Sequence, residues 1–251
     1  MTQTFFPVIF AGAGPGAAQH LTLGVYQALQ GADVVIHDRL VGAEVLALIP
    51  PHVRLMDVGK EGFGPSTAQS VINAALVQKA QTGARVVRLK GGDCGIFGRL
   101  DEEIAALEAA KLTYSILPGL TAASVAAASI GQSLTRRGRN ASLRIVTGHD
   151  MAGFADQDWR GMARVGDVTA IYMGKKSARF VQGRLMMHGA ATDTPVTLVE
   201  NVSRADQRVV AATLASLPKA AQSLDGPAVI LYGLAPRHAR PALSQLKEAQ
   251  A

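Results

Sequence analysis

At 251 residues, 48% hydrophobic and 18% charged, the chain is too long for a disulfide-stapled miniprotein and too apolar to be disordered as its main state. No run of about 18 residues lacks charges, polar groups or Gly/Pro breaks, and the opening MTQTFFP has neither a basic nor a long apolar stretch, so neither a membrane span nor a secretory signal is expected. The single cysteine, Cys94, excludes an internal disulfide and a multi-thiolate metal site and points to a soluble protein of a reducing cytoplasm, while a net charge of +6, with arginine outnumbering lysine, points to an anionic partner.

Residues 8–11 read as a buried strand ending in the glycine-rich GAGPG of residues 12–16. Residues 21–31 have helical periodicity, with Leu21, Val25, Ala28 and Leu29 on one face and Gly31 as the stop. Residues 33–37 read as a second strand and 53–58 as a third. A helix is predicted over 67–81, ended by Gly83. RVVRLK at 85–90 reads as a strand running into Gly91, Gly92 and Asp93. A helix rich in Ala and Glu follows at 101–111, then a short strand at 114–117 halted by Pro118 and Gly119. This alternation predicts a mostly parallel sheet with helices on its faces. In the second half, 122–128 reads as a small-residue helix. Strands are predicted at 144–147, 168–173, 197–200 and 228–232, with helices near 177–188 and 213–218. The pattern gives an α/β fold of two α/β lobes, residues 1–118 and 119–251. There is no fixed-period repeat, and the tail after Pro236 is polar.

The glycine turn at 12–16 follows a strand, and Gly12, Gly14 and Ala17 match the dinucleotide fingerprint G-x-G-x-x-G/A, with Asp38 roughly 20 residues on as a ribose partner. A tight turn that holds no ligand is the competing reading, and Pro15 removes one backbone donor from any phosphate cradle. In an open parallel sheet, loops at the carboxyl ends of strands face one crevice. The loops carrying Asp38 and Asp93 would converge there, joined by PGLTAAS at 118–124 and YMG at 172–174 as further candidates. Arg136, Arg137, Arg139 and Arg144 crowd one segment, suited to gripping carboxylates or phosphates or equally to a solvated surface. The six histidines show no metal-ligand spacing, and no G-x-S-x-G elbow is present. Cys94, beside a candidate ligand loop, would let a thiol reagent inhibit the protein.

Taken in order, GAGPG at 12–16, LTLGVYQALQGADVVIHDRLV at 21–41, GK at 59–60, VVRLKGGDCGIFGR at 86–99, PGLTAAS at 118–124, LTRR at 134–137, VTGH at 146–149, YMG at 172–174, TPVTLVEN at 194–201, QRV at 207–209 and PAVILYG at 227–233 form a set. In this set the chain resembles the tetrapyrrole (corrin/porphyrin) methylase family, S-adenosylmethionine-dependent enzymes of two α/β lobes, over nearly its whole length. The likeness is greatest to the uroporphyrinogen-III C-methyltransferase branch. There are departures from the family pattern: Cys94 and Gly95 stand where Pro-Phe is usual, Leu100 and Asp101 replace two glycines, Arg136 a histidine and Val202 a glycine.

The resemblance implies a class III methyltransferase-like fold with a cofactor cleft between the lobes. By the family match, S-adenosylmethionine would be held by Pro15, Gly91, Gly92, Asp93, Ile96, Thr121, Ala122, Met173, Val202 and Ala228. Asp38 matches a proposed proton acceptor and Lys60 a proposed proton donor. Arg99, Arg136, Arg137 and Arg139, with Lys60, are the groups expected to pair with substrate carboxylates, and His149 could touch the substrate. The implied reaction moves two methyl groups to uroporphyrinogen III, giving precorrin-2, and feeds sirohaem or cobalamin synthesis. The implied state is a cytoplasmic homodimer with no metal, nucleic acid or membrane partner. Because the chain begins only a few residues before its first strand, no fused dehydrogenase or chelatase lobe is expected. The alternatives are a methylase of a later precorrin, an RNA 2′-O-methyltransferase (for which Trp159 and the four tyrosines give few stacking aromatics) and a dinucleotide-binding oxidoreductase.

Overall fold

Alternate residues of the first strand segregate to opposite faces, and both faces are covered. In β1 (Val8–Gly12), Val8 and Phe10 join one apolar cluster and Ala11 joins another, with Ile9 packed against the second. Burial on both sides explains why the strands read as continuous apolar runs rather than as alternations. The computed structural model describes residues 5–59, 68–140, 142–150 and 153–237. The chain divides into two compact units, Met1–Ala122 and Ala123–Ala251.

In the first unit, β1 is followed by a 3-10 turn (Ala18–His20), α1 (Leu23–Gln30), β2 (Val34–His37), α2 (Ala43–Leu46), β3 (Arg54–Asp57), α3 (Gln69–Gln81), β4 (Val86–Lys90), α4 (Leu100–Ala109) and β5 (Tyr114–Leu117). The sheet has the order β3-β2-β4-β1-β5, and every pairing is parallel. Helices α1 and α2 bury Val25, Leu29 and Val45 on one face, and α3 and α4 bury Ile72, Leu76, Ala80 and Leu107 on the other. The predicted parallel, doubly covered sheet is therefore present.

The second unit carries α5 (Ala122–Ser129, whose first residue is the last of the first unit), β6 (Leu143–Thr147), α6 (Trp159–Met162), β7 (Val168–Tyr172), α7 (Ala178–Met187), β8 (Pro195–Glu200), β9 (Arg208–Thr213), α8 (Leu217–Gln222) and β10 (Ala228–Tyr232). Its order is β6-β7-β10-β8-β9; β6 and β7 run parallel and the other pairings are antiparallel. Helices α6, α7 and α8 cover one face with Trp159, Met162, Val181, Leu185, Leu217 and Ala221.

The helix predicted over 213–218 is corrected. RVVAAT pairs with β8 as strand β9, and the helix starts four residues after it, with Pro218 in its first turn. Proline lacks an amide hydrogen and fixes φ, so a helix tolerates it only at the start. The short helices α2 and α6 have no sequence period and escape prediction. Among the described residues no helix is long and apolar enough to cross a membrane.

Candidate functional site

Three loops leave the carboxyl ends of β1, β4 and β5 and meet backbone to backbone. Gly14 donates its amide to the Gly92 carbonyl at 3.0 Å, and Gly92 donates back to Gly14 at 2.8 Å. Both adopt left-handed φ, +69° and +71°, which costs glycine little. A Cβ on Gly12 would lie 2.5 Å from the Gly119 nitrogen, and one on Gly119 would lie 2.3 Å from the Gly92 oxygen. No side chain fits between these strands' ends. Asp93 fastens the same junction: Oδ1 accepts from the Gly95 amide at 2.8 Å and Oδ2 from the Gly119 amide at 3.0 Å. Both carboxylate oxygens of Asp93 thus already hold loop backbone.

This geometry overturns the dinucleotide reading. The amides of Gly14 and Gly92 bond to each other rather than pointing at a phosphate. Nor does a helix open at the turn: a 3-10 turn intervenes, and α1 starts at Leu23, capped by Thr22, whose hydroxyl accepts from Val25 N at 3.3 Å. A phosphate cradle needs unspent amides at a helix N-terminus.

After Asp93 the loop coils tightly, with Phe97 and Arg99 in left-handed φ of 51° and 54°. Cys94 is fully buried, and burial, followed by the Asp93 charge, pushes its thiol pKa up. A buried thiol held in its neutral form is inert, so the expected sensitivity to thiol reagents is corrected. Arg99 sends Nε and Nη2 to the two oxygens of Glu102, each at 2.7 Å, so a substrate carboxylate would compete with an existing bidentate pair. Ile96 lies within the same coil, its amide on the Asp93 carbonyl at 3.2 Å.

Asp38 follows β2, next to β4, and its carboxylate is the visible end of a buried ionic group. Arg88, in the middle of β4, gives Nη2 to Asp38 Oδ1 at 2.6 Å, and gives Nε and Nη2 to Glu103 at 3.1 Å each. Lys90 Nζ reaches Glu103 Oε1 at 2.7 Å. The side chains of Arg88, Glu103 and Lys90 are 2%, 1% and 4% exposed, that of Asp38 30%. Burial alone would lower the Arg88 pKa, but the charges of Asp38 and Glu103 outweigh it and hold it above its usual value. For Lys90, burial and then repulsion by Arg88 win over Glu103, and its pKa is lowered. Arg88 and Glu103 were not singled out from the sequence. The available signal was two cations at period two inside an apolar strand, a pattern that demands buried acids.

Lys60 lies outside the described residues. Pro15 sits inside the glycine junction between Gly14 and Gly16, Gly91 and Gly92 form its β4 side, and Thr121 and Ala122 follow its Gly119 side.

In the second unit, antiparallel pairing gathers three predicted residues at one end of the sheet. Met173 follows β7 with φ 52° and is half exposed, Val202 lies just after β8, and Ala228 opens β10 opposite Glu200. Around them Glu200 accepts from the Gly226 amide, and Lys175 Nζ donates to the carbonyls of Leu224, Asp225 and Gly226. His149, after β6, is at this end too, edge-on to Phe154.

Arg136, Arg137 and Arg139 are not. Their turn precedes β6 and, with Gly138, Val165 and Gly166, lines a cleft at the start of β6 and β7. That is the opposite end of the sheet, roughly 16 Å away for a five-residue strand. Arg139 spends Nε on Asn140 Oδ1 at 3.0 Å and Nη2 on the Ser133 carbonyl at 2.7 Å, closing its own turn. Arg144 pairs with Asp167 and Asp158. Arg136 and Arg137 are exposed, and among the described residues neither pairs with an acid. Among the described residues no cluster could hold a metal ion.

Comparison with known proteins bears on what this frame carries. The family model of Tetrapyrrole (Corrin/Porphyrin) Methylases matches residues 7–218. The chain is 43% identical over 232 residues to siroheme synthase 3 of Aeromonas hydrophila, covering 92% of this chain and 50% of that protein. It is 44% identical over 226 residues to the siroheme synthase of Edwardsiella ictaluri, covering 90% and 49%. It thus spans about half the length of the curated relatives it matches. Among solved structures it is similar to a uroporphyrin-III C-methyl transferase from Thermus thermophilus complexed with S-adenyl homocysteine, with TM-score 0.78, 34% identity, and coverage of 91% of this chain and 97% of that one. A cobalt precorrin-4 methyltransferase shares the fold at TM-score 0.80 and 23% identity.

Proposed function

This chain belongs to the tetrapyrrole (corrin/porphyrin) methylase family, and from that premise we propose that it is an S-adenosylmethionine-dependent C-methyltransferase that converts uroporphyrinogen III to precorrin-2. The observation that carries the reading is the side-chain-free junction of Gly12, Gly92 and Gly119 beside an ion-paired, partly exposed Asp38. The junction leaves backbone and small residues at the carboxyl ends of the strands, where a folded nucleoside can approach closely. We assign Pro15, Gly91, Gly92, Ile96, Thr121 and Ala122 as its first-unit contacts, and Met173, Val202 and Ala228 as its contacts in the second unit. Asp93 acts mainly by holding the junction, because both its oxygens already bond to amides.

When bound, the donor supplies a methyl group already activated by its sulfonium. The chain's own task is alignment of an electron-rich pyrrole carbon, worth several kcal/mol as a proximity effect (about 7–11 at the limit). Methylating a ring carbon leaves the macrocycle as an iminium-like cation, which must then lose a proton from another position. Asp38, paired with Arg88 and with one margin open to solvent, is placed to accept it. Lys60 is our assignment for proton donation. Arg99 is proposed to meet a substrate carboxylate in exchange for Glu102. Arg136, Arg137 and Arg139 lie away from the second unit's proposed donor contacts, and we assign them to steering the anionic substrate toward the protein. A cytoplasmic homodimer serving sirohaem or cobalamin synthesis completes the proposal, supported by family resemblance.

The test incubates the chain with S-adenosylmethionine and uroporphyrinogen III and follows visible absorption and product mass. Addition of two methyl groups is expected. Turnover of a later corrin precursor alone would move the assignment to a sister reaction, and failure to bind S-adenosylhomocysteine in calorimetry would remove it altogether.

A further inference from the structure

We propose that Arg88 and Glu103 are positioning residues that fix the Asp38 carboxylate for proton transfer; the proposal rests on Asp38 as the catalytic acceptor. The parity of the strands sets this up. Val34, Ile36 and Asp38 share one face with Val86, Arg88 and Lys90, and Ile36 registers directly against Arg88. That face is the one covered by α3 and α4, and Glu103 comes down onto it from the first turn of α4.

The guanidinium is held at every nitrogen. Nε and Nη2 engage the two Glu103 oxygens, Nη1 donates to the carbonyls of Ile36 at 3.4 Å and Leu89 at 3.2 Å, and Nη2 donates to Asp38. A planar fork anchored at both ends cannot rotate away from its remaining partner. Glu103 is in turn held by Lys90 and by Gln69 Nε2 at 3.2 Å, and Gln69 donates to Asn73 Oδ1 at 3.0 Å. No other side chain among the described residues bonds to the Asp38 carboxylate. Its direction is therefore set by Arg88, and Arg88 by Glu103.

Stability gives no reason for such a group. Two cations and two carboxylates are charge-balanced here, yet apolar residues of similar volume commonly serve a core as well or better. What distinguishes the network is its asymmetry: three members are sealed in and only Asp38 reaches solvent, at the carboxyl end of the sheet beside the glycine junction.

The experiment is a double-mutant cycle on the full chain. R88K keeps the charge but has one nitrogen where three are needed. E103Q keeps the shape and removes the charge that holds the fork. Each is combined with D38N, and single-turnover methyl transfer to uroporphyrinogen III is measured beside S-adenosylhomocysteine binding by calorimetry and the melting temperature. R88K and E103Q are each expected to slow transfer at least ~10-fold, as misplacement of a reacting group does, with the S-adenosylhomocysteine Kd and the donor KM within about twofold of the parent. In the D38N background, R88K is expected to cost nothing further. Equal slowing by R88K with and without Asp38, or no slowing at all, overturns the proposal. If E103Q unfolds, R88K alone decides by the same criterion. Transfer by D38N at the parental rate would instead sink the reading of Asp38 as catalytic, and the positioning role with it, whereas absence of transfer by the unsubstituted chain would sink the proposed reaction itself.

Discussion

Asp33 and Arg85 form an exposed pair that makes a pH prediction with a definite sign. The Arg85 side chain and then its backbone amide bond to the Asp33 carboxylate and lower its pKa from 3.8 to about 2. A carboxyl whose folded pKa lies below its unfolded one stabilises the fold above the unfolded value and stops doing so as pH falls through the folded one. The contribution should therefore be complete above pH 3.8 and disappear toward about 2. Urea midpoints of D33N should fall less steeply than the parent's across that window; parallel slopes would contradict the assignment. Cys94 gives a second residue-scale test. Native protein should react with a thiol reagent far more slowly than protein unfolded in urea, because burial removes both access and thiolate. The cysteine was legible in the sequence, but its burial was not, since exposure depends on how the coil after Asp93 turns back under β5, where Sγ contacts the Leu117 carbonyl at 3.7 Å.

At the scale of elements, two glycines of the same chain should respond in opposite directions to the same substitution. Gly12→Ala places a methyl 2.5 Å from the Gly119 backbone, where nothing flexible can yield. Overpacking of this kind costs about 1–3 kcal/mol, and it should weaken S-adenosylhomocysteine binding because the junction opens. Gly183→Ala, inside α7 with nothing within 4 Å of the added carbon, should stabilise by about 0.5–1 kcal/mol through helix propensity. Chemical denaturation of the two variants checks both. The strands and long helices were legible from period and punctuation: ADVVIH, RVVRLK and PAVILY each carry their own signal. Strand β9 was not. RVVAAT runs into a Ser, Leu and Pro stretch, and only pairing with β8 decides where the strand stops and the helix begins.

For the whole molecule, the two sheets impose different geometries on their loops. In the parallel sheet, consecutive strands deliver their carboxyl-end loops to one edge, so the order of segments along the chain predicts which of them meet. In the mixed sheet, the antiparallel strands put the start of β10 beside the end of β8. Ala228 thereby joins Val202 and Met173, while the arginine turn goes to the far end. Reversing charge there, R136E with R137E, should lower kcat/KM for uroporphyrinogen III by about 10-fold at low salt and much less at high salt, with S-adenosylhomocysteine affinity unchanged. A salt-independent loss would argue for direct substrate contact instead.

By itself the sequence determined the alternation of strands and helices, the glycine loops and the family, because these rest on local propensity and on ordered motifs whose spacing a chain displays openly. Only the tertiary structure decided that Gly14 and Gly92 spend their amides on each other, that Asp93 serves the loops, and that Asp38 stands on a buried Arg88 and Glu103. Those outcomes depend on strand order and register between residues distant along the chain, and no local pattern encodes which buried charge will find which partner.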